Sequence, residues 1–145
     1  MNTYDNNFAL FEIASKAILR KGNKILLLTQ FDGAYDFPGG RMDKSETSLE
    51  LTDILSREIK EELGSSVKFN VRDIAFTSKR YYKSHGKEHN ILAIYFNADY
   101  ISGDIVLSNE HTHFSWINPK DILSSPDKFV TEHEYKKYKE YFINQ

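Results

Sequence analysis

The stretch Arg57-Glu58-Ile59-Lys60-Glu61-Glu62-Leu63-Gly64 decides how this chain is read. At about 100° per residue, Leu51, Leu55, Ile59 and Leu63 form one apolar stripe of a helix. Glu62 projects between Leu51 and Leu55, inside the stripe, and Glu58 projects at its edge. Arg57, Lys60 and Asp53 project to the other side. A carboxylate facing a core is costly unless a cation or hydrogen-bond donors compensate. Glu58 stands three residues from Glu61 and four from Glu62. Each such like-charge pair costs a helix about 0.2–0.5 kcal/mol. A divalent, oxygen-seeking cation offsets that crowding, and Mg²⁺ or Mn²⁺ fits a carboxylate mount shared with substrate phosphates. By itself the run also reads as an ordinary solvated helix face.

Upstream lies Phe37-Pro38-Gly39-Gly40-Arg41-Met42-Asp43, a turn signal that follows an apolar strand and leads into the helix. Together the two segments resemble the Nudix hydrolase signature, G-x5-E-x7-R-E-U-x-E-E-x-G-U, with U a bulky aliphatic. Gly40 and Glu46 match its first part; Arg57, Glu58, Ile59, Glu61, Glu62 and Gly64 match its second. Two departures are visible. Ten residues separate Glu46 from Arg57 where the signature has seven, and Ser65 stands at the final aliphatic position.

The resemblance implies a Nudix-like α/β/α sandwich with a mixed central sheet. It also implies metal-dependent hydrolysis of a phosphoanhydride bond in a nucleoside diphosphate linked to another group. Its alternative is a catalytically weak Nudix-fold module that binds or senses a nucleotide. Carried over residue by residue, Glu58, Glu61 and Glu62 become metal ligands together with the Gly40 carbonyl. Arg57, Glu58, Glu61 and Glu110 become the catalytic group. Arg57 would orient a carboxylate, either Glu61 one turn on or Glu46. Gly39, Glu46 and Gly64 take structural roles, with Glu46 hydrogen-bonding back at the helix start. Glu110, six residues before Trp116, matches a further acidic position of the family. Its roles there are ligand or base; outside the family it reads as a turn acid.

Arg41 follows the Gly-Gly pair and is a candidate for phosphate contact. The segment Ser78–His89 carries Arg80, Tyr82 and Lys83 and suits a loop that grips phosphate and stacks on a base or sugar. A solvated hairpin is its plain reading. His85 and His89 suit polar contacts, and His111 and His113, beside Glu110, suit surface positions or, as the alternative, contact with phosphate.

The remaining sequence bounds the class. At 145 residues the chain suits one domain, 1–145, long enough for a proper core. It has no cysteine, which removes disulfides, thiol chemistry and Cys-based zinc sites. A net charge of −2 gives no general attraction to nucleic acid polymers or acidic membranes. Residues 1–10 lack a basic stretch followed by an apolar one, so a cytoplasmic protein acting on a small nucleotide-like diphosphate is expected, with a homodimer left open. Strands are expected at Ala9–Leu19, Ile25–Leu28, Val67–Thr77, Ile91–Phe96 and Ile105–Leu107. Helices are expected from Ser48, capped by Thr47-Ser48-Leu49-Glu50, to Gly64, then over Lys120–Leu123 and Asp127–Phe142. The aromatic stripe Tyr135, Tyr138, Tyr141 and Phe142 suits packing.

Overall fold

Two strands with largely apolar, buried middles set the centre of the molecule. In the computed structural model, which describes residues 7–145, these are β1 (Glu12–Lys21) and β2 (Lys24–Thr29). The first residues of the stretch read for a targeting signal lie outside the described range. Both faces of β1 and β2 are covered, so their apolar runs are continuous rather than alternating. Ile18, Ile25 and Leu27 point into one core, and Ala17, Leu19, Leu26 and Leu28 into the other.

Two short strands, β3 (Tyr35–Asp36) and β4 (Gly39–Arg41), precede α1 (Leu51–Leu63). A long hairpin follows, β5 (Lys68–Ser84) and β6 (Lys87–Ser102), then β7 (His113–Ile117), α2 (Pro119–Ile122) and α3 (Glu132–Ile143). The sheet runs β3-β2-β1-β6-β5, with β4 on β1 and β7 on β2. β1 and β6 are parallel and the other pairs antiparallel. Leu55, Ile59 and Leu63 of α1 pack on one face. Ile122 of α2 and Tyr138 of α3 pack on the other. This is the expected sandwich around a mixed sheet.

The feature that builds the site is a split in that sheet. β1 pairs with β2 only at Arg20 and Lys21. Towards its other end, Ala14–Lys16 pair with β4 instead, and the Ala17 N–H donates to Pro38 O. Residues 35–41 are therefore wedged between β1 and β2. Lys16 secures the wedge by donating to Asp36 Oδ1 at 3.1 Å and to the carbonyls of Phe37 and Gly39 at 3.2 Å. Gly39 is required there. Its φ is +129°, and a Cβ would lie 2.1 Å from Ser15 O.

Four expected elements differ. The main helix starts at Leu51, with Glu50 making no side-chain cap. The reciprocal cap forms four residues earlier, where Asp43 accepts from the Ser45 N–H and Glu46 accepts from the Asp43 N–H. Both segments carry an acid or hydroxyl followed three residues later by Glu. Asp43/Glu46 prevails because Arg57 clamps the buried Glu46 carboxylate. The extra residues after Glu46 become a connector, so the Glu46–Arg57 contact survives the insertion. Ile105–Leu107 is not a strand. Its backbone instead serves α1, with Val106 N donating to Leu63 O and Ser108 N to Glu62 O. Ser78–His89 is not a loop: its ends belong to β5 and β6, which turn at His85-Gly86. The last helix begins at Glu132, after a single turn at Pro126–Lys128, because the Thr131 hydroxyl caps Glu134.

Candidate active site

A groove of about 1200 Å³ opens over the wedge, lined by residues of β1, the wedge, α1, β5 and the loop before β7. Glu62 forms part of its floor. The residue is 3% exposed, and its Oε1 accepts the Gly39 backbone N–H at 2.7 Å. Burial pushes its carboxyl up to about 7 against the pull of Lys16 and Gly39. Glu58, one turn earlier, lies against Gly40, where a Cβ would come within 2.4 Å of its carboxylate. Burial also raises the Glu58 carboxyl, opposed by Arg57. The missing side chain at Gly40 is thus the space that Glu58 occupies, and it brings backbone and carboxylate together on one wall.

Arg57 joins this wall. It makes two hydrogen bonds of 2.6 Å to Glu46 and approaches Glu58 at 2.9 Å and Glu61 at 3.1 Å. Its hydrogen bonds to Glu46 come first among the causes that hold its guanidinium charged, and they keep Glu46 ionised. Glu61 points away from the floor, with its side chain 60% exposed. Gly64 ends α1 at φ +94°. Glu110 is exposed and lines the groove.

Arg41, Tyr82 and Arg80 also line the groove. Arg41 pairs with Glu12 at 2.9 Å and lies over the Tyr82 ring, which stacks on His89 at 4.7 Å. Arg80 is engaged from below by Glu134 of α3 and by the Tyr95 hydroxyl. Lys83 sits further along the hairpin against Glu88 and does not line the groove. His85 forms the hairpin turn, and His113 is exposed.

His111 departs from the surface position expected of it. Its ring is buried, with Nε2 3.1 Å from Asp36 Oδ2 and Nδ1 3.5 Å from Glu62 Oε2. Asp36, Glu62 and His111 form a close three-residue cluster that could hold a metal ion. Burial would raise the Asp36 carboxyl, but Lys16, His111 and Arg80 together hold it well below the usual carboxylate range. Burial lowers the His111 pKa, and the Asp36 hydrogen bond together with the negative charges of Asp36 and Glu62 more than reverses it.

Asp36, Lys16, His111 and Glu134 are the polar residues that motif reading missed. One signal was available: Lys16 stands in the middle of a strand, directly before the apolar run Ala17-Ile18-Leu19. The donor set suits a divalent ion, since it combines buried carboxylates, a backbone approach at Gly40 and an unpartnered imidazole nitrogen.

A NUDIX domain family model matches residues 11–140. No curated protein sequence matches the chain significantly. Among solved structures, the MutT protein from Methanosarcina mazei Go1 is 25% identical, with a TM-score of 0.74 over 92% of this chain and 94% of its own. The E. coli ORF135 protein is 24% identical, with a TM-score of 0.69 over 92% of this chain and 89% of its own. A C. elegans Ap4A hydrolase is 18% identical, with a TM-score of 0.63 over 92% of this chain and 99% of its own. The family model spans nearly the whole described chain, and the split sheet and Gly40–Gly64 box lie within it: the chain belongs to the Nudix family.

Proposed function

We propose that this protein hydrolyses a phosphoanhydride bond in a nucleoside diphosphate linked to another group, with Mg²⁺ or Mn²⁺ as cofactor. Family membership supports pyrophosphohydrolase activity in general. The observation that carries the finer reading is Glu62, a buried carboxylate aimed at the groove beside Gly39, Gly40 and Glu58. A merely structural helix has no use for such a charge, whereas a divalent ion offsets it.

A divalent ion, when bound, neutralises phosphate charge and makes coordinated water easier to ionise. Glu58, Glu62 and the Gly40 carbonyl would hold it, with Glu61 as a further ligand or support. Arg57 fixes the carboxylate wall through Glu46 and Glu61. Glu110, on the groove, acts as an additional ligand or as the base for water. Arg41 offers a cation to the substrate's phosphate, and Tyr82, with His89 stacked on it, lines the part of the groove beside that cation. Lys83 would reach only a substrate that extends along the hairpin, and Arg80 contributes charge from beneath.

The deciding experiment is a phosphate-release screen with Mg²⁺ and Mn²⁺. It covers nucleoside triphosphates, oxidised nucleotides, nucleotide sugars, dinucleoside polyphosphates and NADH. Ap4A and ADP-ribose are included because neighbouring structures are described as hydrolases of those compounds. Turnover of at least one class is expected. Nucleotide binding without turnover in either metal would favour the binding module.

A further inference from the structure

His111 lies outside the signature, yet its ring is set up as a ligand. Its Nε2 points at Asp36 Oδ2, 3.1 Å away, and so carries the proton of that contact. Its Nδ1 is buried and, among the described residues, has no hydrogen-bond partner. That nitrogen faces Glu62 Oε2 at 3.5 Å, at the floor of the groove. Two donors on one ion at about 2.1 Å each stand about 3.0–3.4 Å apart, close to the observed separation.

The surrounding groups leave this pair for a cation. Glu62 Oε1 is already taken by the Gly39 N–H. Lys16 has three donors, and they go to Asp36 Oδ1, Phe37 O and Gly39 O. No lysine donor therefore remains for Glu62 Oε2. A carboxylate on one imidazole nitrogen, with the other nitrogen bare beside an acidic oxygen, is the arrangement that orients histidine ligands in metal sites.

We propose that His111, oriented by Asp36, is a nitrogen ligand to a divalent ion shared with Glu62, so that the site favours transition ions over Mg²⁺. The proposal rests on the metal-dependent reading of the groove. An imidazole ligand adds affinity for ions such as Mn²⁺ and Co²⁺, whereas Mg²⁺ prefers oxygen donors. Asp36 is here a positioning residue: it fixes the ring without touching the ion.

Pulsed electron paramagnetic resonance on the full chain with substoichiometric Mn²⁺ tests this without turnover. Nitrogen modulation of the Mn²⁺ echo is expected, and His111→Gln should abolish it. Equilibrium titration should show Mn²⁺ affinity falling about 10- to 100-fold in His111→Gln, and about 10-fold in Asp36→Asn with the nitrogen signal retained. Mg²⁺ affinity should change less than Mn²⁺ affinity in both. An oxygen-only Mn²⁺ spectrum on the unsubstituted protein, or nitrogen modulation that survives His111→Gln, overturns the proposal. The unsubstituted protein decides the first point even if a variant fails to fold. Hydrolysis with an oxygen-only spectrum sinks the His111 assignment alone. Nitrogen modulation without hydrolysis of any screened substrate supports it and sinks the hydrolase reading.

Discussion

The backbone N–H of Gly39 donates to Glu62 Oε1 at 2.7 Å, tying the wedge between β1 and β2 to the core face of α1. Together with the Arg57–Glu46 hydrogen bonds, it ties the Gly-Gly turn and the segment after it to the helix. It also holds a carboxylate where its ionisation is unfavourable.

That cost should appear in metal-free stability. The Glu62 pKa is about 7 when folded, above its ordinary 4.5. Between these values the folded chain keeps a proton that the unfolded chain has released. Stability therefore falls as pH rises through this window, by up to about 3 kcal/mol for this group. His111, also raised, acts in the same direction just above pH 6.5. Asp36, lowered, loses its contribution only as pH falls below 3.8. Denaturant unfolding with chelator present should show the decline from pH 5 to 7, and Glu62→Gln should flatten it. An equal slope in parent and variant would assign the decline to other groups.

The same variant should lose activity. Glu62→Gln keeps shape and removes charge, so turnover is expected to fall at least ~100-fold, as when a principal electrostatic group is removed. Divalent ions should raise the melting temperature of the parent, and a Glu58→Gln/Glu62→Gln pair should suppress that rise. Near-parental turnover in folded Glu62→Gln would dismiss this role.

The two glycines should fail in different ways. Gly39→Ala drives a Cβ into Ser15 O from a φ that L-residues rarely adopt, so the fold should be lost or strongly destabilised. Gly40→Ala meets only the mobile end of Glu58. Its melting temperature should stay close to the parent's while turnover drops by about 100-fold through a misplaced carboxylate. Equal melting temperatures for the two variants would contradict this division.

Beneath the groove, Glu134 is fully buried and binds Arg80 and the Tyr95 hydroxyl. Removing one partner of a buried pair leaves an uncompensated charge, at a cost of about 3–5 kcal/mol. Glu134→Ala should lower the melting temperature by roughly 10 °C. A change within a degree or two would show that Arg80 re-pairs fully with Asp36, 3.7 Å away.

Glu110 separates ligand from base by kinetics. Glu110→Gln should reduce turnover in either role. As a ligand it should also raise the Mg²⁺ concentration for half-maximal rate; as a base it should flatten the acidic limb of the pH–rate profile and leave metal dependence alone. Unchanged rate and profile would make it a surface acid.

What the sequence determined is local and periodic. The apolar stripe of α1 predicted that Glu62 faces the core, and helical spacing put Arg57 within reach of Glu61. The apolar run at Ile25–Leu28 marked a strand buried on both faces, and Gly64 marked the end of the helix. The cap position was ambiguous in sequence, because two segments carry the same pattern; only the reach of Arg57 to Glu46 chose between them. Ile105–Leu107 has strand chemistry, but the Val106 N–H, like that of Ser108 just after it, is claimed by the end of α1. The tertiary structure alone brought Lys16, Asp36 and His111 to Glu62. They come from β1, the wedge and the loop before β7, and Asp36 and His111 are 75 residues apart. No periodicity links such positions. The splitting of β1 from β2 makes the space, and the need to compensate a buried carboxylate with nearby donors decides which side chains fill it.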